Sequence, residues 1–117
     1  MLKVINSIGI PVSNMEKAVT FYGETLGLKR KYDYSPDYVE FDCGGVGIGL
    51  EPGGEKGNKE NKAYIMFLVD DIDETYQKLK EKGVFFTGEP TDTQWGGKIA
   101  TFKDPDENIL QLLKWSR

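Results

Sequence analysis

The sequence predicts an α+β fold in which one unit is used twice, each copy a strand, a helix and about three further strands. Three observations predict it. Ile8–Tyr22 sets over Ile65–Leu79, and the match keeps a strand ending in valine (Val12, Val69), then polar cap residues, then an apolar residue (Met15, Ile72) entering a helix. Each helix is followed by a glycine, Gly27 or Gly83, and then by Leu28 or Val84, so that the chain can turn into the next strand. Beyond each of these turns the apolar residues recur with strand spacing.

The first strand alternates Ile8, Ile10 and Val12 with Ser7 and Gly9. Ser13-Asn14-Met15-Glu16 reads as a capping box, with the Ser13 hydroxyl expected on a free helix amide. The helix after it carries Met15, Ala18, Val19 and Tyr22 on one stripe. Tyr38–Asp42 alternates cleanly and leads through Cys43-Gly44 into Gly45–Glu51, where Val46, Ile48 and Leu50 point one way and Gly45, Gly47, Gly49 and Glu51 the other. Glycine inside a strand packs nothing and costs chain entropy. Three in register mark a bulge, a close backbone crossing, a weak edge, or a face cleared to make room for something.

Pro52–Asn61 is rich in glycine and charge and reads as a linker. The chain is then a single domain over 1–117, with module 1 at about 1–52, the linker at 53–61 and module 2 at about 62–117. In the second module Asp70 or Asp71 is expected to cap a helix carrying Ile72, Thr75, Tyr76 and Leu79. Lys98–Phe102 and Ile109–Leu113 are strands flanking Lys103–Asn108, and Phe102 takes the place of Phe41. The helices cover one face of each small sheet and leave the other concave and available.

Composition excludes several classes of function. Fifteen basic against nineteen acidic residues give a formal net charge of −4, which does not suit nucleic acid or an anionic membrane; the short run Lys29-Arg30-Lys31 does not change that. Histidine is absent, which removes the commonest general base and transition-metal ligand. The single cysteine, Cys43, has no partner for an internal disulfide, and no secretory leader or long apolar run is visible, so the expectation is a soluble cytoplasmic protein. No serine or cysteine nucleophile has a histidine partner. Gly44–Gly49 lacks the lysine and helix of a phosphate loop.

Together, Ile10–Tyr22 with Leu26-Gly27-Leu28, Phe67–Asp71, Gln94-Trp95-Gly96 and Phe102–Asn108 resemble the vicinal oxygen chelate superfamily. That superfamily includes glyoxalase I, bleomycin and fosfomycin resistance proteins, and extradiol dioxygenases. Asp104–Asn108 is similar to the family's Asp-Pro-Asp-Gly-Asn turn, with Glu107 where glycine is usual. The resemblance implies two βαβββ modules whose curled mixed sheets surround a shared cavity, helices outermost, commonly in a homodimer. In metal-dependent members a divalent ion sits on four side chains, and matching the motifs places those positions at Ser7, Gly49, Tyr64 and Gln111. A hydroxyl, a bare glycine, a neutral phenol and an amide are a poor set of donors, so no metal or other cofactor is expected.

Strand parity gives the cavity side Ser7, Gly9, Tyr38, Glu40, Asp42, Gly45, Gly47, Gly49, Glu51, Tyr64, Met66, Leu68, Ile109, Gln111 and Leu113. Trp95 borders the cavity mouth in the resembling family and is placed to stack on a flat ligand, with Phe85, Phe86 and Trp115 adding to the wall; core or interface packing is the competing reading of each. The residues expected to bind a ligand are Ser7, Tyr38, Gly47, Gly49, Tyr64, Met66, Trp95 and Gln111. Glu40 and Glu51 are candidate bases, with solvated rim carboxylates as the competing reading, and Tyr64 is a third candidate acid or base. The function these residues suggest is metal-free binding of a drug or planar aromatic metabolite. The alternatives are a lyase, isomerase or dioxygenase-like enzyme on a non-standard site, and a vestigial cavity in a chain that acts through its dimer interface.

Overall fold

The computed structural model describes residues 1–55 and 64–116. Positions 56–61 of the expected linker lie outside the described residues. The chain divides into two compact units, Met1–Asn58 and Lys59–Arg117.

In the first unit, β1 (Ser7–Val12) leads into α1 (Met15–Val19), which widens into a π-helical segment (Thr20–Thr25); β2 (Lys29–Tyr34), β3 (Tyr38–Cys43) and β4 (Val46–Pro52) follow. The sheet order is β1-β4-β3-β2, with β1 parallel to β4 and the other pairs antiparallel. The second unit repeats this with β5 (Ile65–Leu68), α2 (Ile72–Glu81), a two-residue β6 (Thr91–Asp92), β7 (Gly97–Lys103) and β8 (Ile109–Trp115), in the order β5-β8-β7-β6. The expected pair of βαβββ modules with mixed sheets is what forms.

Each sheet buries one face under its helix. In the first unit Ile10, Val12, Val39, Phe41, Ile48 and Leu50 pack beneath Ala18 and Tyr22, and α1 lies against β4. In the second, Ala100, Phe102, Leu110 and Leu112 pack with Ile72, Tyr76 and Leu79, and α2 lies against β7 and β8. Each buried valine, leucine, isoleucine or phenylalanine among them contributes about 1.5–3 kcal/mol on leaving water. Phe41 and Phe102 hold equivalent positions, 1% and 0% exposed.

Several local expectations change. The cap of α1 is Asn14, not Ser13: the Asn14 side chain accepts from the Lys17 amide at 3.0 Å. Asp71 caps α2, accepting from the Glu74 amide at 3.0 Å. The first helix remains α-helical for one turn only, because its next turn closes on wider bonds such as Leu26 N–H to Phe21 C=O, 2.9 Å. That wide turn sets Gly23 on the Phe41 ring, where a Cβ would lie 3.0 Å from Cε1. Gly45 belongs to a turn with Gly44, at φ 95° and 60°, and the glycine strand begins at Val46.

The loop after β7 is tied by one carboxylate. Asp104, 5% exposed, accepts from the amides of Asp106 and Asn108 at 2.9 and 2.8 Å and from the Asn108 side chain at 2.8 Å. Glu107 there has φ 67°, the left-handed conformation for which glycine is the usual residue.

Candidate functional site

On the face of the first sheet opposite its helix, the strand register lays side chains in rows. Ser7, Gly47, Asp42 and Lys29 form one row; Gly9, Gly49, Glu40 and Tyr32 form the next; Tyr38 stands across from Tyr34 in a third. Residues directly opposite on neighbouring strands share a face, so this surface gathers three tyrosines around a carboxylate.

The glycines of β4 are seats for side chains of β3. A Cβ on Gly47 would run into the Glu40 carboxylate, and one on Gly49 would meet the Tyr38 hydroxyl, with ring carbon Cε1 at 2.7 Å. Gly47 and Gly49, expected to floor a ligand cavity, are therefore covered by this chain's own Glu40 and Tyr38. The cleared face does make room for something, and the occupant is internal.

The two seated side chains are bonded to one another. The Tyr38 hydroxyl donates to Glu40 Oε1 at 2.5 Å. That bond, burial and the Glu40 charge push the Tyr38 phenol up to about 12, with a smaller rise from Glu51, while a bond with the Ser7 hydroxyl pulls the other way. Glu40 is 5% exposed, not a solvated rim carboxylate as the competing reading had it. Glu51, the other candidate base, is exposed at the end of β4.

Tyr32 and Tyr34 were missed by the sequence reading. Their rings stack at 6.4 Å between centroids and 29° between planes, and they are 46% and 66% exposed. Even spacing puts Tyr32 and Tyr34 on one face of β2, and the hairpin register, which spacing alone does not fix, sets Tyr34 across from Tyr38.

In the second unit, the open face carries Met66, Gln111 and Thr101 in one row. The Gln111 amide donates to Thr101 Oγ1 at 2.9 Å. Trp95 meets Trp115 edge-on at 5.3 Å and covers Gly97, whose Cβ would lie 2.8 Å from the indole. The loop between is closed by the Thr93 amide and hydroxyl, both donating to the Gly97 carbonyl, and by the Gly97 amide donating back to that hydroxyl. Tyr64 is exposed just before β5. Phe86 does not line the open face: it packs on Tyr76 at 4.7 Å and Phe102 at 5.2 Å, within the helix-side core. Phe85 is 64% exposed.

A model of the glyoxalase/bleomycin resistance protein/dioxygenase superfamily matches residues 4–112. The chain belongs to that superfamily. A superfamily member of known crystal structure, from Sphaerobacter thermophilus, is 32% identical, with a TM-score of 0.82 over 97% of this chain and 98% of that one. The metallothiol transferase FosB of Shouchella clausii is 30% identical over 96% of this chain and 80% of its own length. TnmS3, an antibiotic-binding protein from a Streptomyces species, is 28% identical in its crystal structure, with a TM-score of 0.79 over 98% of each chain.

The superfamily's metal positions, carried over by motif, hold donors that do not fit a divalent ion. Gly49 offers no side chain and its place is taken by the Tyr38 hydroxyl. Ser7 and Tyr64 offer a neutral hydroxyl and a neutral phenol, and Gln111, whose amide nitrogen donates to Thr101, offers only a neutral amide oxygen. Among the described residues, no group of three or more His, Cys, Asp or Glu stands together to hold a metal. Among them, too, no helix is long and apolar enough to cross a membrane.

Proposed function

We propose that this superfamily member binds a small, partly aromatic molecule without a resident metal ion, and that the open face of the first module supplies the contacts. One observation carries the reading: the Tyr38 hydroxyl stands at Gly49, where a metal-dependent relative would carry a ligand, and is bonded to the buried Glu40. Aromatic surface with a few placed polar groups is the chemistry of a small-molecule site. Likeness to an antibiotic-binding protein supports binding as the function.

A second reading is favoured by the same buried Glu40. A carboxylate held out of water beside a neutral phenol is placed to take a proton from carbon next to a carbonyl, which is lyase or isomerase chemistry. Binding is preferred because Glu40 is already engaged by Tyr38.

A thermal-shift screen of planar antibiotics and aromatic metabolites against chelator-treated protein tests the proposal. Hits are expected, and their shifts should shrink in Tyr38→Ala. Hits that appear only after zinc, nickel or manganese is restored, or that persist undiminished in Tyr38→Ala, would overturn it.

A further inference from the structure

We propose that the ligand of this face carries a protonated or quaternary nitrogen, held between the Glu40 carboxylate and the rings of Tyr32, Tyr34 and Tyr38. The inference rests on the binding reading above and names its ligand class.

Charge and solvation point to a cation. Glu40 is buried, and among the described residues no lysine or arginine forms an ion pair with it. The hydrogen bond it receives comes from Tyr38, while an ionised carboxylate offers about four acceptor sites. Keeping a carboxyl group out of water with a single hydrogen bond and no counter-ion is costly, and a bound cation removes much of that cost. Lys29 stands across from Asp42 in the neighbouring row and so faces a different carboxylate.

The rings beside Glu40 point the same way, on independent grounds. Tyr32 is directly across the ladder from Glu40, and Tyr34 directly across from Tyr38. Two exposed, stacked phenol rings on β2, the strand paired with the one that carries the buried Glu40, match what ammonium groups select, because the negative face of an aromatic ring attracts a cation. The chain already places one there: the Lys31 ammonium lies 5.3 Å from the Tyr32 centroid. Lys31 sits where the β2–β3 register shifts, so its cation reaches Tyr32 from the bulge, outside the paired rows. A ligand ammonium would take over that ring while also facing Glu40.

Nuclear magnetic resonance titrations with benzyltrimethylammonium, benzyl alcohol and benzoate, followed on backbone amides, separate the possibilities. The ammonium should bind at least about tenfold more tightly than the alcohol, with benzoate weakest, a difference on the scale of one carboxylate and one ring contact. Glu40→Gln should reduce the preference to about threefold or less. Tyr32→Leu, at an exposed site, should weaken the ammonium more than the alcohol even if the Glu40 variant folds poorly. Equal binding of ammonium and alcohol, stronger binding of benzoate, or a full preference retained in both variants would overturn the cation assignment and leave the binding reading standing. If none of the three binds, the cation assignment falls; if the thermal-shift screen is also without hits, the binding reading falls with it.

Discussion

The hydroxyl of Tyr38 occupies the space in which residue 49 would carry a side chain, and residue 49 is glycine. The pairing accounts for a strand that looks, in sequence, as if half its side chains had been deleted. β3 supplies the bulk and β4 supplies the absence of bulk. A polar cluster thereby lies flat on the sheet.

Gly49→Ala should lower stability by about 1–3 kcal/mol, as overpacking does, because both the hydroxyl and the ring of Tyr38 must move. Gly47→Ala should cost less, since the atoms it meets belong to the flexible end of Glu40. Urea denaturation of Gly49→Ala, Tyr38→Ala and the double variant should give a coupling of about 1 kcal/mol or more. Additive effects would mean that Tyr38 is not seated on Gly49.

Ionisation of Tyr38 should be delayed to about pH 12. Because the folded phenol holds its proton more tightly than the unfolded one, its contribution to stability is complete below about pH 10 and is lost as pH rises through the folded value. Absorbance titration of the wild type against Tyr38→Phe should assign a late-ionising phenol to Tyr38. Glu40→Gln should bring it back toward the ordinary range.

Glu107→Gly should raise stability by about 1 kcal/mol by relieving the left-handed conformation at φ 67°. Asp104→Ala should lower it by about 2–4 kcal/mol, since the two amides and the Asn108 side chain lose their shared acceptor. Thermal denaturation reads both changes, in opposite directions.

Gly97→Ala should push the Trp95 indole off its seat and separate it from Trp115. Tryptophan emission should shift to the red and acrylamide quenching should rise. Unchanged emission would place Trp95 elsewhere.

The doubled module was legible because strand and helix periods depend on burial, and burial depends on residue type position by position. Ile8 through Val12 and Ile65 through Val69 carried that signal, and so did the glycines that close the two helices. The cap at Asn14 was not legible: Ser13 and Asn14 can both accept a helix amide, and only the backbone path decides between them. Parity correctly put Tyr38, Glu40, Gly47 and Gly49 on one face. Which way the Tyr38 and Glu40 side chains lie on that face is set by rotamer and packing, so an apparent cavity floor turned out to be covered. Tyr32 and Tyr34 were hidden behind a basic run and a bulge that obscured the alternation of β2.

The most direct measurement is an amide shift map of a thermal-shift hit, recorded on chelator-treated protein before and after zinc is added. The expected result is perturbation of Tyr32, Tyr38, Glu40, Gly47 and Gly49 without metal, unchanged when zinc is supplied. Perturbation that appears only with zinc, or that falls on helix-side positions such as Phe41 and Ile48 and spares this face, would contradict the account.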